Sequence, residues 1–276
     1  NTVVNTVTNT MKTSLDNAEE EMFLRVDNSG VCTITLNRPK ARNALSLEMM
    51  QALHQELTKI DTDASIRVVV IGANGPAFCA GHDMRQLRAN PNFDYYKGTF
   101  STSSSLMKTI MTMPQPVIAR VQGMATAAGC QLVATCDLAI ASTEAKFATP
   151  GVHIGLFCST PMVALSRNVG RKAAMEMLML GDAVDAERAL ELGLINKVVD
   201  PDELDTALRI MTDTLLGKSA ITLAMGKAAF YEQLEKGVVD AYAHTGEVMA
   251  RNMMTADAAE GIDAFIQKRT PVWIGK

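Results

Sequence analysis

The fold of this chain is decided by two runs of small residues, Phe78-Cys79-Ala80-Gly81-His82-Asp83-Met84 and Ala125-Thr126-Ala127-Ala128-Gly129-Cys130-Gln131. Each run leads into a predicted helix start, where backbone N–H groups lack intrahelical acceptors and the helix dipole favours negative charge. Two such N–H groups directed at one carbonyl oxygen form an oxyanion hole. The two runs therefore predict a binding site for a carbonyl group that is made from main-chain donors.

The composition is that of an ordinary globular protein. Of the 276 residues, 47% are hydrophobic and 20% are charged, which is enough for one large core with an attached subdomain. The net charge of −4 disfavours a general affinity for nucleic acid or anionic membranes. The sequence also lacks an apolar run of the roughly 18 residues that a membrane span needs. We therefore expect neither nucleic acid nor a membrane among the partners.

The five cysteines are scattered along the chain, and their number is odd. None forms a C-x-x-C pair and the chain has four histidines, so we expect reduced thiols and no metal site. Residues 1–20 show neither a secretory core nor the arginine pattern of an organellar transit peptide, and we expect a flexible leader there. These features favour a cytoplasmic location, with the mitochondrial matrix as the alternative.

Strands and helices alternate through the first two thirds of the chain. The pattern predicts a hairpin of residues 22–26 and 31–36 and a helix capped by Ser46. It predicts further strands at 66–71, 116–119, 138–141 and 195–199, and helices at 83–88, 102–113 and 128–134. Further helices are predicted at 173–180, 186–192, 201–216, 220–234, 246–254 and 258–268. The sequence therefore predicts an α/β core, residues 21–205, and a C-terminal helical region, residues 206–276.

Several segments resemble one known family, the enoyl-CoA hydratase/isomerase or crotonase family. They are Leu36-Asn37-Arg38-Pro39-Lys40-Ala41-Arg42-Asn43-Ala44-Leu45, Ala77 to Asp83, Gly123 to Gln131 and Cys136-Asp137-Leu138-Ala139-Ile140-Ala141. Phe147 to Val152 and Gly155 to Pro161 resemble one subgroup of it. The resemblance implies a crotonase-like ββα spiral core with a C-terminal helical oligomerisation region, and a homotrimer or hexamer that binds acyl-CoA.

The resemblance also implies roles for particular residues. The thioester carbonyl would lie between the backbone N–H groups of His82 and Ala128. No cofactor is implied, because coenzyme A arrives as part of the substrate. The residues implied in binding its coenzyme A portion are Arg38, Lys40, Ala41, Ala80, Arg85, Phe265 and Lys268, the last two by way of a neighbouring subunit.

The two catalytic glutamates of the family's hydratases are missing. Their positions hold Gln131 and Gly151. A glutamine amide can orient a water but cannot transfer a proton at neutral pH, and glycine offers no side chain. Loss of a general acid–base group costs about 10² to 10⁴ in rate. We therefore expect little hydratase activity. If Gln131→Glu with Gly151→Glu produced hydration, the hole and the substrate register would be intact and only the acids lost.

Alternatives to hydration remain open at this point. One is a non-catalytic acyl-CoA binder or regulator, and another is a decarboxylase acting on a malonyl-type CoA, which needs no base. His153 is a further candidate base, and a hydrolase would need Ser159 to pair with a histidine such as His82. Asp83 is expected to cap a helix and Asp137 to fix the start of a strand, so neither needs a catalytic role.

Overall fold

A computed structural model describes residues 21–276. The predicted leader, residues 1–20, lies outside the described residues. Two sheets form the core, one of six strands in the order β1-β2-β3-β5-β7-β10 and one of four in the order β4-β6-β8-β9. The strands are β1 Phe23–Asn28, β2 Val31–Leu36, β3 Val68–Ala73, β4 Ala77–Cys79, β5 Val117–Val121, β6 Met124–Thr126, β7 Leu138–Ser142, β8 Lys146–Ala148, β9 Val184–Asp185 and β10 Lys197–Val199.

The six-stranded sheet begins with the predicted hairpin. β1 and β2 pair antiparallel through a turn at Ser29 and Gly30, which have φ values of 49° and 85°. This two-residue turn with positive φ at both positions matches the twist of a hairpin. The remaining neighbours, β2-β3, β3-β5, β5-β7 and β7-β10, are parallel. All six residues of β3 are buried, as its β-branched run predicts.

Eleven helices are present in the described part of the chain. Ser46 caps the first of them, since its side chain accepts the Met49 N–H, and the side chain of Asp83 caps the second in the same way, as predicted. The helices are α1 Leu47–Asp61, α2 Met84–Ala89, α3 Phe93–Thr112, α4 Ala128–Thr135, α5 Pro161–Asn168, α6 Arg171–Leu180, α7 Ala186–Glu191, α8 Leu204–Leu216, α9 Ala220–Leu234, α10 Val238–Met253 and α11 Ala256–Gln267.

Two helices are longer than predicted. α3 begins at Phe93 and not at Thr102, because the side chain of Asn92 caps it by accepting the Tyr95 N–H. α10 begins at Val238 and not at Gly246, which is a helix-interior glycine here. The four-stranded sheet was not predicted, because its strands are two or three residues long.

The C-terminal helices differ from the core in burial. α9 and α10 contain no buried residue. α9 is nevertheless fixed to the core by Lys227, whose ammonium donates to the carbonyls of Ile110 and Gln115 and pairs with Asp137 at 2.7 Å. Asp137 also accepts the Val117 N–H at the start of β5, as its predicted structural role requires. No helix within residues 21–276 is long and apolar enough to cross a membrane.

Candidate active site

The two glycine-containing runs meet directly at the ends of β4 and β6. These strands pair in parallel, so the loops that follow them emerge side by side. A Cβ added to Gly129 would lie 2.1 Å from the carbonyl oxygen of Cys79, and one added to Gly81 would lie 3.3 Å from the backbone nitrogen of Ala128. Glycine is therefore required at both positions, and Gly81 also has a φ of +90°. The sequence-predicted pair of loops is brought together.

The direction of the His82 N–H is set by the peptide that it shares with Gly81. The Gly81 carbonyl accepts the Leu45 N–H at 2.8 Å, and Asp83 donates back to the Leu45 carbonyl at 3.0 Å. In a planar trans peptide the carbonyl and the N–H point in opposite directions. The His82 N–H therefore points away from Leu45, and it donates to no backbone carbonyl of the described residues.

The start of α4 fixes the direction of the Ala128 N–H in a comparable way. The Ala127 carbonyl accepts the Gln131 N–H at 3.0 Å, so the Ala128 N–H in the same peptide points beyond the N-terminal end of the helix. Ala127 has a φ of 50°, which alanine rarely adopts, and its own N–H is held by the Ala148 carbonyl at 2.9 Å. Two main-chain donors thus lie at adjoining loops.

A cavity of about 440 Å³ lies beside these loops. Its walls are mostly apolar, with three titratable side chains, and none of the described residues that line it carries a carboxylate. A larger cavity of about 520 Å³, beside Trp273, contains none of the predicted site residues. The lining of the first cavity is Ala80, His82, Met84, Leu87, Phe100, Thr126, Ala127, Pro150, Gly151, His153, Ile154, Leu156, Phe157, Cys158, Ser159, Thr160 and Pro161.

Gly151 lines the cavity, but the space that a side chain would need is filled. A Cβ at this position would lie 2.9 Å from the Leu156 carbonyl oxygen and 3.0 Å from the Cys158 sulfur. Gln131 is 5% exposed, and its Oε1 has no hydrogen-bond partner in the described part of the chain. A glutamate at residue 151 is therefore opposed by packing, because the backbone of Leu156 must move before a larger side chain can enter.

The side chain of His82 packs inside the protein and does not face solvent freely. Its ring meets Phe100 edge-to-face with centroids 5.2 Å apart, and its Nε2 is buried without a hydrogen-bond partner among the described residues. Burial lowers the pKa of His82 to about 4. The imidazole is therefore neutral near pH 7 and adds no charge to this loop.

The other polar side chains predicted near the acyl pocket also line the cavity: His153, Cys158, Ser159 and Thr160. The Nε2 of His153 lies 2.8 Å from the position of a Cβ on Gly181, so its ring packs against that backbone. Desolvation raises the pKa of the Cys158 thiol, which disfavours the thiolate. The hydroxyl of Ser159 donates to the Phe157 carbonyl, and no base accepts its proton in the described residues.

The residues implied in coenzyme A binding fall into two groups. Ala80 lines the cavity, and Lys40, Ala41 and Arg85 lie on the neighbouring loop and helix starts, with Arg85 exposed. Arg38 is engaged inside the protein, since it donates to the Ala44 carbonyl at 2.6 Å and to Asp83 at 3.3 Å.

The second group lies on α11. Phe265 is 84% exposed, and Lys268 follows the helix with a φ of 56°. Neither residue lines the cavity of its own chain. This placement is the one expected of residues that serve a neighbouring subunit, and it leaves their role as a proposal.

Sequence reasoning missed the apolar mouth of the cavity. Met84, Ile154, Leu156 and Phe157 are large hydrophobic side chains that remain at least 43% exposed. Large apolar side chains clustered at a cavity are typical of ligand sites. The available signal was the run Ile154 to Phe157, which is apolar but has neither helical nor strand periodicity. Within residues 21–276, no group of three or more His, Cys, Asp or Glu could hold a metal ion.

Comparisons with known proteins show the family of the chain. The family model described as enoyl-CoA hydratase/isomerase matches residues 26–276. The chain is 47% identical to an enoyl-CoA hydratase domain-containing protein 3, mitochondrial, from Xenopus laevis, over 88% of this chain and 83% of the relative. The human protein of the same name is 46% identical over 88% of this chain and 80% of its own length.

Solved structures show the same fold. A crystal structure of an enoyl-CoA hydratase from Mycobacterium smegmatis has a TM-score of 0.91 and 52% identity, covering 92% of this chain and 99% of the other. That of human enoyl-CoA hydratase domain-containing protein 3 has a TM-score of 0.89 and 44% identity, covering 92% of this chain and all of the other. The fold is the crotonase fold, and the chain belongs to the enoyl-CoA hydratase/isomerase family.

Proposed function

We propose that this chain binds acyl-CoA thioesters in the 440 Å³ cavity and stabilises an enolate there, with little capacity for hydration. The thioester oxygen would accept the N–H groups of His82 and Ala128, and the acyl chain would lie against Met84, Leu156 and Phe157. The observation that carries the proposal is the cavity wall, which combines these loops with no carboxylate among its described residues. Such a wall could polarise a thioester, but it lacks the pair of carboxylates that the family resemblance assigns to proton transfer in water addition.

The coenzyme A portion would extend from the cavity toward Lys40, Ala41 and Arg85. A phosphate needs local cations here, because the whole chain carries a net charge of −4. Lys268 and Phe265 of a second copy would complete the binding surface. Their exposure on α11 and the uncovered apolar residues of α10 support a homotrimer or a hexamer.

Decarboxylation of a malonyl-type CoA is a second candidate reaction. The bond between the α-carbon and the carboxylate breaks, CO₂ leaves, and the electron pair forms an enolate whose oxygen lies in the hole; solvent then supplies the proton. The absence of carboxylates among the described cavity residues favours this reaction, because a fixed negative charge would repel the substrate carboxylate. The test is release of CO₂ from malonyl-CoA or a 2-alkylmalonyl-CoA. Saturable binding without release of CO₂ would favour the remaining alternative, a non-catalytic acyl-CoA binder or regulator.

The compartment is also a proposal. The free buried cysteines suit a reducing environment, and the cytoplasm remains our first proposal. The names of the Xenopus and human relatives place those proteins in mitochondria, which supports the matrix as the alternative. Cell fractionation of the native protein distinguishes the two.

Ala128→Pro tests the oxyanion hole directly. Ala128 is the first residue of α4, a position where proline is tolerated, and the change deletes the N–H itself. We expect Ala128→Pro to lose the preference for butyryl-CoA over its thioether analogue, which has no carbonyl. The matched control is Ala256→Pro at the first position of α11, which should keep this preference. An unchanged preference in folded Ala128→Pro would contradict the proposal.

A further inference from the structure

Arg38 is connected to the oxyanion hole by two peptide groups. One guanidinium nitrogen, Nη1, donates to the Ala44 carbonyl at 2.6 Å. The N–H of the same peptide, on Leu45, donates to the Gly81 carbonyl at 2.8 Å. The N–H of that second peptide is the His82 donor. A continuous chain of hydrogen bonds therefore runs from a fixed cation to the group that would meet the substrate oxygen.

Polarisation passes along this series of hydrogen bonds in one direction, from Arg38 to the His82 N–H. A cation at the Ala44 oxygen polarises that peptide and makes the Leu45 N–H a stronger donor, which in turn polarises the peptide of Gly81 and His82. Each link strengthens the next by roughly 10–30% in condensed-phase estimates. The positive charge of Arg38 thus increases the donor strength of the His82 N–H although its side chain need not touch the substrate.

Further contacts fix the geometry of this series of hydrogen bonds. The fully buried side chain of Asn43 accepts the Arg38 N–H at 2.8 Å and donates to the carbonyls of Asn74 and Ala77 at 2.9 and 2.8 Å. A second guanidinium nitrogen of Arg38 pairs with Asp83 at 3.3 Å, one residue beyond His82. Arg38 therefore contacts both sides of the pairing between Leu45 and His82.

We propose that Arg38 is a positioning residue that orients and polarises the His82 N–H, and that it is not a coenzyme A phosphate ligand. This inference rests on the proposed thioester site. It differs from the role implied by the family resemblance, because the two contacts of Arg38 direct its guanidinium to Ala44 and Asp83. Exposed Arg85, on α2, remains the candidate for the phosphate.

The test measures hydrogen bonding to the thioester carbonyl and binding of the coenzyme A phosphates in separate experiments. The probe for the carbonyl is butyryl-CoA with a ¹³C thioester carbonyl, whose stretching frequency in infrared difference spectra falls when the oxygen accepts stronger hydrogen bonds. The probe for the phosphates is adenosine 3′,5′-bisphosphate, which has no thioester, measured by calorimetry. The variants are Arg38→Met, Arg38→Lys and Arg85→Met, each first checked for folding by circular dichroism.

We expect Arg38→Met to lose part of the carbonyl shift, to weaken the preference for thioester over thioether by about 3-fold, and to keep its affinity for the bisphosphate. Arg38→Lys should recover most of the shift, since its ammonium can still donate to Ala44. Arg85→Met should show the opposite result, with weaker bisphosphate binding and an unchanged carbonyl frequency.

Two outcomes overturn the inference in distinguishable ways. A full carbonyl shift in Arg38→Met together with weaker bisphosphate binding would make Arg38 a phosphate ligand and leave the proposed function intact. No carbonyl shift in the wild-type protein would remove the proposed function, and the inference with it. If Arg38→Met fails to fold, Arg38→Gln replaces it, because an amide can still donate to the Ala44 carbonyl but carries no charge. Folded Arg38→Gln should lose part of the carbonyl shift, and a full shift would overturn the inference.

Discussion

The loops at Gly81 and Gly129 have no space for an added methyl group, whereas α10 leaves Val239 and Tyr242 77% exposed. The loops are held by β4 and β6 and by hydrogen bonds from the Leu45 segment, so their geometry is complete within one chain. α10 and α11 have amphipathic sequences, and several of their large apolar side chains are not covered by other described residues. We propose from this difference that the carbonyl site is formed within one chain, and that the C-terminal region packs on a second copy.

The largest effect is expected from Gly129→Ala. Its new Cβ would meet the Cys79 carbonyl at 2.1 Å, a backbone atom that cannot move alone. We expect the free energy of unfolding to fall by about 3 kcal/mol or more. Gly246→Ala in α10, where nothing lies within 4 Å, is the matched control and should raise it by about 0.5–1 kcal/mol. Urea denaturation measures both, and similar losses in the two variants would contradict the comparison.

The junction between the two regions depends on Lys227. Lys227→Met leaves Asp137 without its cation, and the side chain of Asp137 is only 16% exposed. We expect a loss of about 2–3 kcal/mol in the free energy of unfolding. Tyr231→Phe removes a single hydrogen bond to the same carboxylate and should cost about 1 kcal/mol. Equal losses in these two variants would show that the ammonium adds nothing to the junction.

Burial of His82 makes the free energy of unfolding depend on pH. Its pKa is lowered to about 4 in the folded protein, against about 6.5 when unfolded, so the unfolded state binds more protons between these values. Stability contributed by this residue is therefore complete above about pH 6.5 and decreases as the pH falls toward 4, by about 3 kcal/mol. His82→Gln should flatten the dependence between pH 6.5 and 5 in urea denaturation. An unchanged slope would show that the ring is not buried as described.

The smallest effect on stability is expected from charges on α10. Tyr242→Asp with Met249→Asp places two carboxylates on side chains that are 77% and 60% exposed. The unfolding free energy of the isolated chain should change by less than about 0.5 kcal/mol. Light scattering should nevertheless show the loss of the trimer or hexamer. A mass that stays the same in the variant would place the subunit interface elsewhere.

Much of the fold was predictable from local signals. The hairpin at Gly30 and the helix capped by Ser46 follow from turn chemistry and capping. The buried strand predicted at residues 66–71 follows from its β-branched composition, and it is found at Val68–Ala73. The four-stranded sheet was not predictable, because strands of three residues have too few positions to show a period. The start of α3 was missed because its first two turns have no strong apolar face.

The candidate site shows a similar division. The two loops at Gly81 and Gly129 could be found from their glycines, since close backbone approach excludes every other residue. The occupation of the space beside Gly151 by Leu156 and Cys158 could not, because it depends on how a loop of nonregular structure folds back. The chain of hydrogen bonds from Arg38 was also hidden, since a sequence does not show which carbonyls a guanidinium contacts.

The most direct measurement is a titration of the purified protein with crotonyl-CoA and with unreactive butyryl-CoA. Calorimetry reports binding, and the enoyl absorbance of the same crotonyl-CoA samples reports hydration. We expect saturable binding of both thioesters and an enoyl absorbance that decays about 10² to 10⁴ times more slowly than with a general acid–base pair. Rapid loss of the absorbance would contradict this expectation and would assign proton transfer to a side chain such as His153; absence of binding would contradict the thioester site itself.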